Sequence, residues 1–235
     1  MGNRTGDYGF TSIIIKLVLM KSSSAFIIML LFVMYGCKNP QRPKQTLQEK
    51  QKELEAGKLS DNYVYTAKEV GWTAVLPEDW QVLTRRDNYN LTKKGKEAVE
   101  DAAGTKIDDS KLIYLVNIRK DLINSFQSTM EPLDGMTADE YDNHTIFLQN
   151  LIRQVYKSKG IDAEYGLGAV RIDGVMFDRF EVKLYSSGKK KVILEQKLFN
   201  AMINGYDFGM TINFNNEADE KTLMNIVMRS KFSIK

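Results

Sequence analysis

The second half of the chain alternates between apolar and polar residues, the pattern of β-strands that are buried on one face. Between Tyr206 and Phe214 every even-numbered residue is apolar. The intervening residues are polar or small, namely Asp207, Gly209, Thr211 and Asn213. Phe180, Val182 and Leu184 alternate with charged residues in the same way. These alternations predict an antiparallel sheet that is covered mainly on one face.

Turn sequences separate the strand-like runs of this region. Asp173-Gly174, Ser187-Gly188 and Asn204-Gly205 each place a glycine where a tight hairpin requires a positive φ. These turns predict four consecutive strands. An earlier pair of alternating runs, Leu112 to Ile118 and Ile123 to Met130, predicts a further hairpin.

Helices are recognised by an apolar period of three to four residues. Thr137 and Glu140 have the spacing of a capping box, and the residues that follow place apolar side chains on one face as far as Gly160. Asn216 is of a helix-capping type, and another helix is expected from Leu91 to Ala103. The predicted order is ββαββαββββα, an α+β fold with a central antiparallel sheet flanked by helices.

The N-terminal region predicts export from the cytoplasm. An unbroken apolar run from Ala25 to Tyr35 follows Lys21, and it falls well short of the roughly 20 residues that span a membrane. Residues 1–36 are therefore predicted to be a signal peptide. Met20 begins a complete signal peptide by itself and is an alternative start. A single-pass anchor that also uses Ile13 to Leu19 is the second interpretation, but charged and serine residues interrupt it.

The end of this apolar run, Met34-Tyr35-Gly36-Cys37, resembles the lipobox of bacterial lipoproteins. The resemblance implies that signal peptidase cleaves between Gly36 and Cys37, and that Cys37 then carries a diacylglycerol and an acylated amine. The alternative is an ordinary buried cysteine. The resemblance implies a location in the bacterial cell envelope, with the protein anchored to a membrane and facing the periplasm or the cell exterior.

A polar segment separates this cysteine from the region of strands and helices. Residues 37–60 are rich in Lys, Gln and Glu and contain Pro40 and Pro43, a composition typical of a flexible tether. Residues 61–235 are of ordinary size for a single globular domain. The predicted organisation is a signal peptide, a lipidated tether and one domain.

Composition and charge exclude several classes of function. The chain has one cysteine and one histidine, so neither a Cys/His zinc cluster nor a Cys-His catalytic pair is expected. Of its 33 basic and 30 acidic residues, three basic and one acidic lie in residues 1–36, which leaves the remainder nearly neutral. A nucleic-acid-binding protein would carry a clustered basic excess. We therefore expect no nucleic-acid partner, and we assign no cofactor and no metal.

Near the start of the domain, Gly71 to Trp80 contains an aromatic strand followed by Leu76-Pro77, two further residues and Trp80. Together with the element order, this segment resembles the PsbP-like superfamily of small exported proteins. The resemblance implies an α/β/α sandwich with a central antiparallel sheet. The resemblance also implies a family of adaptors and assembly or binding modules, in which enzymes are not the rule. It supplies no catalytic residues.

Few residues combine the type and the position that catalysis needs. His144 is a candidate general base or metal ligand, but its place on an apolar helix face favours a partly buried structural residue. The acidic pairs Glu78-Asp79, Asp108-Asp109 and Asp139-Glu140 occupy turn-like or capping positions. Gly166-Leu167-Gly168 lacks the third glycine of a dinucleotide-binding loop. We therefore assign no catalytic residue.

Two groups of residues are candidates for a binding surface. Lys189, Lys190 and Lys191 follow a hairpin turn and are candidates for contact with anionic lipid or an acidic partner. The alternative is a solvated turn whose charges discourage strand pairing. Trp72 and Trp80 are candidates for the wall of a ligand pocket, and the alternative is that both anchor the core.

Two classes of function remain open. The preferred one is a lipid-anchored envelope protein that binds a protein partner, as an adaptor or an assembly factor. The alternative is a carrier or enzyme for a small apolar ligand held between the sheet and a helix. An enclosed apolar cavity lined by residues such as Phe208 and Ile212 would favour the alternative, whereas a solid core with an exposed aromatic patch would favour the first.

Overall fold

The computed structural model describes residues 44–104, 106–189 and 191–234. The predicted signal peptide, Gly36, Cys37 and Lys190 lie outside these residues. The described helices are α1 (Leu47–Glu53), α2 (Arg85–Ala103), α3 (Ala138–Ser158) and α4 (Glu217–Met228). The strands are β1 (Lys58–Leu59), β2 (Val64–Ala67), β3 (Trp72–Val75), β4 (Gln81–Val82), β5 (Ile113–Arg119), β6 (Ser125–Pro132), β7 (Ala163–Ile172), β8 (Val175–Tyr185), β9 (Val192–Ile203), β10 (Tyr206–Phe214) and β11 (Lys231–Phe232).

The main sheet has seven antiparallel strands in the order β4-β5-β6-β10-β9-β8-β7. The predicted α+β class with a large antiparallel sheet and helices is thus confirmed. A smaller sheet, β1-β2-β3-β11, was not predicted as a separate unit. Its last strand is non-local, because Phe232 near the C-terminus pairs with Trp72. The predicted order also lacks α1 and the two-residue strands.

The hairpin turns follow from the residues that form them. Asp173 and Gly174 connect β7 to β8 with φ values of 46° and 89°, and Asn204 and Gly205 connect β9 to β10 with 51° and 83°. Consecutive positive φ angles match the right-handed twist of the flanking strands, which is why Asp-Gly and Asn-Gly suit these positions. The predicted turn at Ser187-Gly188 is a short 3₁₀ turn.

Helix caps fix where the helices begin. Thr137 closes the predicted capping box on Glu140, and the Asn216 side chain accepts the backbone N–H of Asp219 at the start of α4. Helix α2 begins at Arg85, earlier than the predicted Leu91, because Thr84 caps it by accepting the N–H of Asp87. The first turns of α2 are polar and carry no apolar period, so the sequence pattern did not include them.

Two hydrophobic clusters lie on opposite faces of the main sheet. On one face, rings from the main sheet, including Phe126 and Phe208, pack against Trp72 of the small sheet and against α4. On the other face, α2 and α3 pack on strands β8 and β9, with Ile152 and Val182 among the buried residues. The sheet is therefore covered on both faces.

Residues 44–60 belong to the folded domain, which corrects the prediction of a flexible tether ending at Ser60. Leu54 and Leu59 are buried in the first hydrophobic cluster. The Gln45 side-chain amide donates to the Val82 carbonyl at 2.9 Å and accepts the Val82 N–H at 2.8 Å. The polar composition predicts a solvated spacer, but two buried leucines and one bidentate amide suffice to hold this segment.

Candidate functional site

The polar residues of strand β10 are buried, although the alternation predicted a sheet covered mainly on one face. Asp207, Thr211 and Asn213 face α2 and α3 and are almost fully shielded from solvent. Alternation reveals which residues share a face, but it does not reveal what covers that face. The result is a polar layer between the sheet and two helices, and it is the most unusual chemical environment in the described residues.

Part of the polar layer is a continuous chain of hydrogen bonds. The Tyr156 hydroxyl on α3 donates to Gln196 Oε1 at 2.6 Å, and Gln196 Nε2 donates to Asn213 Oδ1 at 2.6 Å. Asn213 Nδ2 then donates to Ser125 Oγ at 3.1 Å. Because each buried group finds a partner, this chain satisfies polar atoms that would otherwise be costly to bury.

The layer holds two carboxyl groups on neighbouring strands. Asp207 on β10 and Glu131 on β6 are direct partners in the antiparallel register, and their residues are 7% and 2% exposed. The Tyr141 hydroxyl at the start of α3 donates to Asp207 Oδ1 at 2.9 Å, and Asn200 Nδ2 lies 3.5 Å from the same oxygen. Side chains directly opposite each other in a sheet share a face, so both carboxyl groups belong to the polar layer.

Burial controls the protonation of the Asp207 carboxyl group. Removal from water raises the pKa of Asp207 to about 6, against the smaller lowering effect of hydrogen bonds from Tyr141 and Asn200. Burial also raises the pKa of Tyr141, and the nearby Asp207 carboxylate adds to that rise. Asp178, two strands away, has its pKa raised by burial and then by Asp142. The arrangement can hold and release a proton near neutral pH.

The candidate catalytic residues are buried in the core, cap a helix or form an ion pair. His144 is buried on the inward face of α3, between the positions of Tyr141 and Leu148. Glu140 closes the capping box, and Asp109 forms an ion pair with Lys96. In residues 44–104, 106–189 and 191–234, no group of three or more His, Cys, Asp or Glu side chains is arranged to hold a metal ion.

The predicted binding-surface residues are not brought together. Trp72 and Trp80 are buried in the core, so neither contributes to a surface. Trp72 packs on Tyr65 with 5.3 Å between ring centroids and donates its Nε1–H to Ser230 Oγ at 2.9 Å. Lys191 is exposed beyond the 3₁₀ turn, whose last residue is Lys189. Lys190 lies outside the described residues.

A shallow cleft of about 510 Å³ lies where the β5–β6 loop meets the start of α4. Asn124 and Asn215 bond to each other across it, Asn216 caps α4, and Lys120 Nζ lies 2.7 Å from Asp219 Oδ1. These groups satisfy one another. The cleft therefore fastens a loop to a helix end, and its polar atoms are already in use.

Sequence reasoning did not assign a role to the acid of the polar layer. Asp207 is the second residue of β10, and an aspartate within a strand-like run is uncommon, because strands disfavour this residue type. That rarity was the available signal. Tyr141 was recognised only as a helix-face residue, and its contact with Asp207 joins residues 66 positions apart.

Comparison with solved structures finds a similar arrangement of elements in the solution structure of cyanobacterial PsbP (CyanoP) from Synechocystis sp. PCC 6803. The TM-score is 0.47 and the sequence identity is 10%, with coverage of 76% of this chain and 98% of that chain. This likeness concerns the fold only. No protein-family model matches the chain, and no curated protein sequence matches it.

None of the helices within residues 44–104, 106–189 and 191–234 has both the length and the apolar character needed to cross a bilayer.

Proposed function

We propose that the protein is a lipid-anchored component of the cell envelope whose domain acts by binding a protein partner. The observation that carries this proposal is the filled interior. Phe208, a predicted pocket-lining residue, is fully buried, and its ring centroid lies 5.2 Å from that of Trp72 and 5.5 Å from that of Phe232. Ile212 is fully buried in the same cluster. Side chains occupy the space that an apolar ligand would need there.

The outer surface offers apolar side chains instead. Ile146 on α3, Met176 on β8 and Met202 on β9 are all exposed. By the strand register, Met176 and Met202 lie on the same sheet face as the residues beneath α3, but nearer the ends of their strands. Methionine adapts its shape to a partner, and exposed apolar groups are typical of a protein-binding surface where they form a contiguous patch.

The anchor is supported by the sequence Gly36-Cys37 after the apolar run. Because the folded domain already includes Gln45, only residues 38–44 separate it from Cys37. A chain of this length spans about 25 Å when fully extended. If Cys37 is acylated, the start of the domain is held close to the bilayer, so its partner is a membrane protein or another anchored protein.

Substitution of the acylated residue tests the anchor. We expect Cys37→Ala to abolish labelling with radioactive palmitate and to move the protein out of the membrane fraction. Ser60→Ala, at an exposed position inside the domain, is the matched control and should fractionate as the parent does. Unlabelled parent protein, or a Cys37→Ala variant that still fractionates fully with membranes, would refute the anchor.

The alternative function, a carrier or enzyme for a small apolar ligand, has one observation in its favour. Asp207 is a buried carboxyl group with a pKa near neutrality, and such groups are frequent at functional sites. Its hydrogen-bond partners, however, are protein groups, and the residue is almost fully shielded. We therefore place the protein-binding function first.

A further inference from the structure

Strand β7 contains two glycines at positions where a strand normally has side chains. Glycine in a strand interior weakens the strand and often marks the close approach of another group. A Cβ atom on Gly168 would lie 2.9 Å from Arg179 Nη2, and one on Gly166 would lie 3.1 Å from Glu181 Oε2. The charged tips of Arg179 and Glu181 therefore lie across β7, over the two glycines. They form an ion pair within the copy, with 3.3 Å between Arg179 Nε and Glu181 Oε1.

This strand is also the open edge of the main sheet. Within residues 44–104, 106–189 and 191–234, the other three sheet edges are the two-residue strands β1, β4 and β11. The β4 edge is capped by the side-chain amide of Gln45. In contrast, β7 is ten residues long and pairs with β8 without a bulge over its whole length.

Proteins usually protect a long edge strand with a proline, a bulge or a charge in its middle. Strand β7 has none of these between Tyr165 and Val170, and its charged residues, Glu164 and Arg171, stand near its ends. Leu167, at the centre, is 64% exposed. An edge of this length without a proline, bulge or charged residue of its own in its middle is suited to pair with another strand.

We propose that two copies of this chain pair antiparallel through β7, with the two-fold axis passing at Leu167. In this register Leu167 lies opposite Leu167 of the second copy, and Gly168 lies opposite Gly166 of the second copy. The two seven-stranded sheets then form one continuous sheet. The interface is isologous, since each copy contributes the same strand.

Charge selects this register. Opposed strands lie about 4.8 Å apart, so Arg179, which covers Gly168, meets Glu181 of the second copy, which covers its Gly166. The two-fold axis generates the same pair twice. A register centred on Gly168 would oppose Arg179 to itself, and one centred on Gly166 would oppose Glu181 to itself. Both neighbouring symmetric registers therefore place like charges together.

The apolar side chains agree with the same register. Residues with odd numbers on β7 lie on the face that α3 covers elsewhere, as shown by the pairing of Leu167 with Phe180. Pairing Leu167 with its copy removes a large exposed apolar side chain of the strand from water on both sides. The glycines leave room for the charged pairs on the opposite face. This association does not depend on the lipid anchor.

Disulfide trapping in the full chain tests the register. Both cysteine variants are made in a background with Cys37→Ala, which removes the single native cysteine. Leu167→Cys places two sulfurs on directly opposed residues, within the reach of a disulfide. Ala169→Cys is the matched control, because the two copies of residue 169 lie about 13 Å apart along the ladder. We expect about tenfold more disulfide-linked dimer from Leu167→Cys than from Ala169→Cys. Equal trapping, or more from Ala169→Cys, would overturn the register.

Sedimentation velocity of the full chain in density-matched detergent tests the charge pairs. We expect the parent to dimerise reversibly and Arg179→Glu to weaken the dimer by about tenfold or more, since each charge pair becomes a repulsion. The variant carrying both Arg179→Glu and Glu181→Arg should recover the parental affinity. Circular dichroism confirms that each variant is folded. A monomeric parent, or a folded Arg179→Glu variant with unchanged affinity, would overturn the proposal.

Discussion

Asp207 is an acid held inside the molecule by neutral groups. Its hydrogen-bond partners are Tyr141 and Asn200, and its cross-strand neighbour Glu131 is another acid. Neither partner compensates a full negative charge. Burial therefore outweighs the hydrogen bonds, and the pKa of Asp207 rises to about 6.

Stability should depend on pH through this residue. A carboxyl group whose pKa is raised by folding binds its proton more tightly in the native state, so stability falls as pH rises between about 4 and 6. With the pKa of Asp207 raised to about 6, the expected loss in the free energy of unfolding is roughly 2–3 kcal/mol. Asp207→Asn keeps the acceptor for Tyr141 and carries no charge. We expect it to remove this fall, as measured by urea unfolding at several pH values.

The control for this experiment is Asp173→Asn. Asp173 accepts from Lys231 and from the Phe232 backbone, which lowers the pKa of Asp173. Its contribution to stability therefore has the opposite sign and is lost as pH falls. The fall in stability between about pH 4 and 6 should persist in Asp173→Asn. An identical pH profile for the parent and for Asp207→Asn would show that Asp207 is not the group responsible.

Trp72 is the residue on which the small sheet and the main sheet meet. Its ring contacts Tyr65, Phe126 and Phe208, and its Nε1–H bonds to Ser230. We expect Trp72→Ala to lower the free energy of unfolding by about 3–5 kcal/mol, because it leaves a cavity and removes the hydrogen bond from Nε1 to Ser230 Oγ. The exposed Tyr89 serves as control, and Tyr89→Ala should change it by less than about 0.5 kcal/mol. A similar small effect at Trp72 would contradict its placement in the core.

At the scale of elements, the packing of helix α1 on the domain is what sequence reasoning missed. Thr46 and Glu49 form a capping box of the same type as Thr137 and Glu140. The signal was present, but the segment is polar and has no apolar period to accompany it. Only Leu54 and Leu59 reveal that the segment packs on the domain.

Substitution of Leu54 distinguishes a folded segment from a tether. We expect Leu54→Ala to lower the free energy of unfolding by about 2–4 kcal/mol, because it removes a buried side chain from the core. Lys52→Ala, at an exposed position of α1 two residues before Leu54, should have an effect below about 0.5 kcal/mol. Chemical denaturation of both variants gives the comparison. A negligible effect of Leu54→Ala would restore residues 44–60 to the tether.

Strands β7 to β10, by contrast, were largely predictable. Their period of two is strong, and Asp173-Gly174 and Asn204-Gly205 mark two of the turns directly. Local patterns of this kind identify a strand or a turn without knowledge of the rest of the fold. The pairing of β11 with β3 and the burial of the polar layer depend on residues far apart in sequence. No local pattern reports such contacts, and that is why the candidate site emerged only with the structure.

At the scale of the whole molecule, the two faces of the main sheet have different chemistry. One face is an aromatic core beneath the small sheet and α4. The other combines an apolar cluster with the polar layer beneath α2 and α3. Both faces are occupied by the protein itself. The proposed function therefore assigns binding to the outer surface, with the domain held near a membrane through Cys37.

Native mass spectrometry of the full chain, purified from its own membrane with a lipid-extracted control, tests this account most directly. The account predicts a chain that begins at Cys37, carries the mass of its acyl groups and retains no other small molecule, with a protein partner among the co-purifying species. An unacylated N-terminus would contradict the anchor. A small molecule that stays with the domain after lipid extraction would contradict the filled interior and favour the carrier or enzyme.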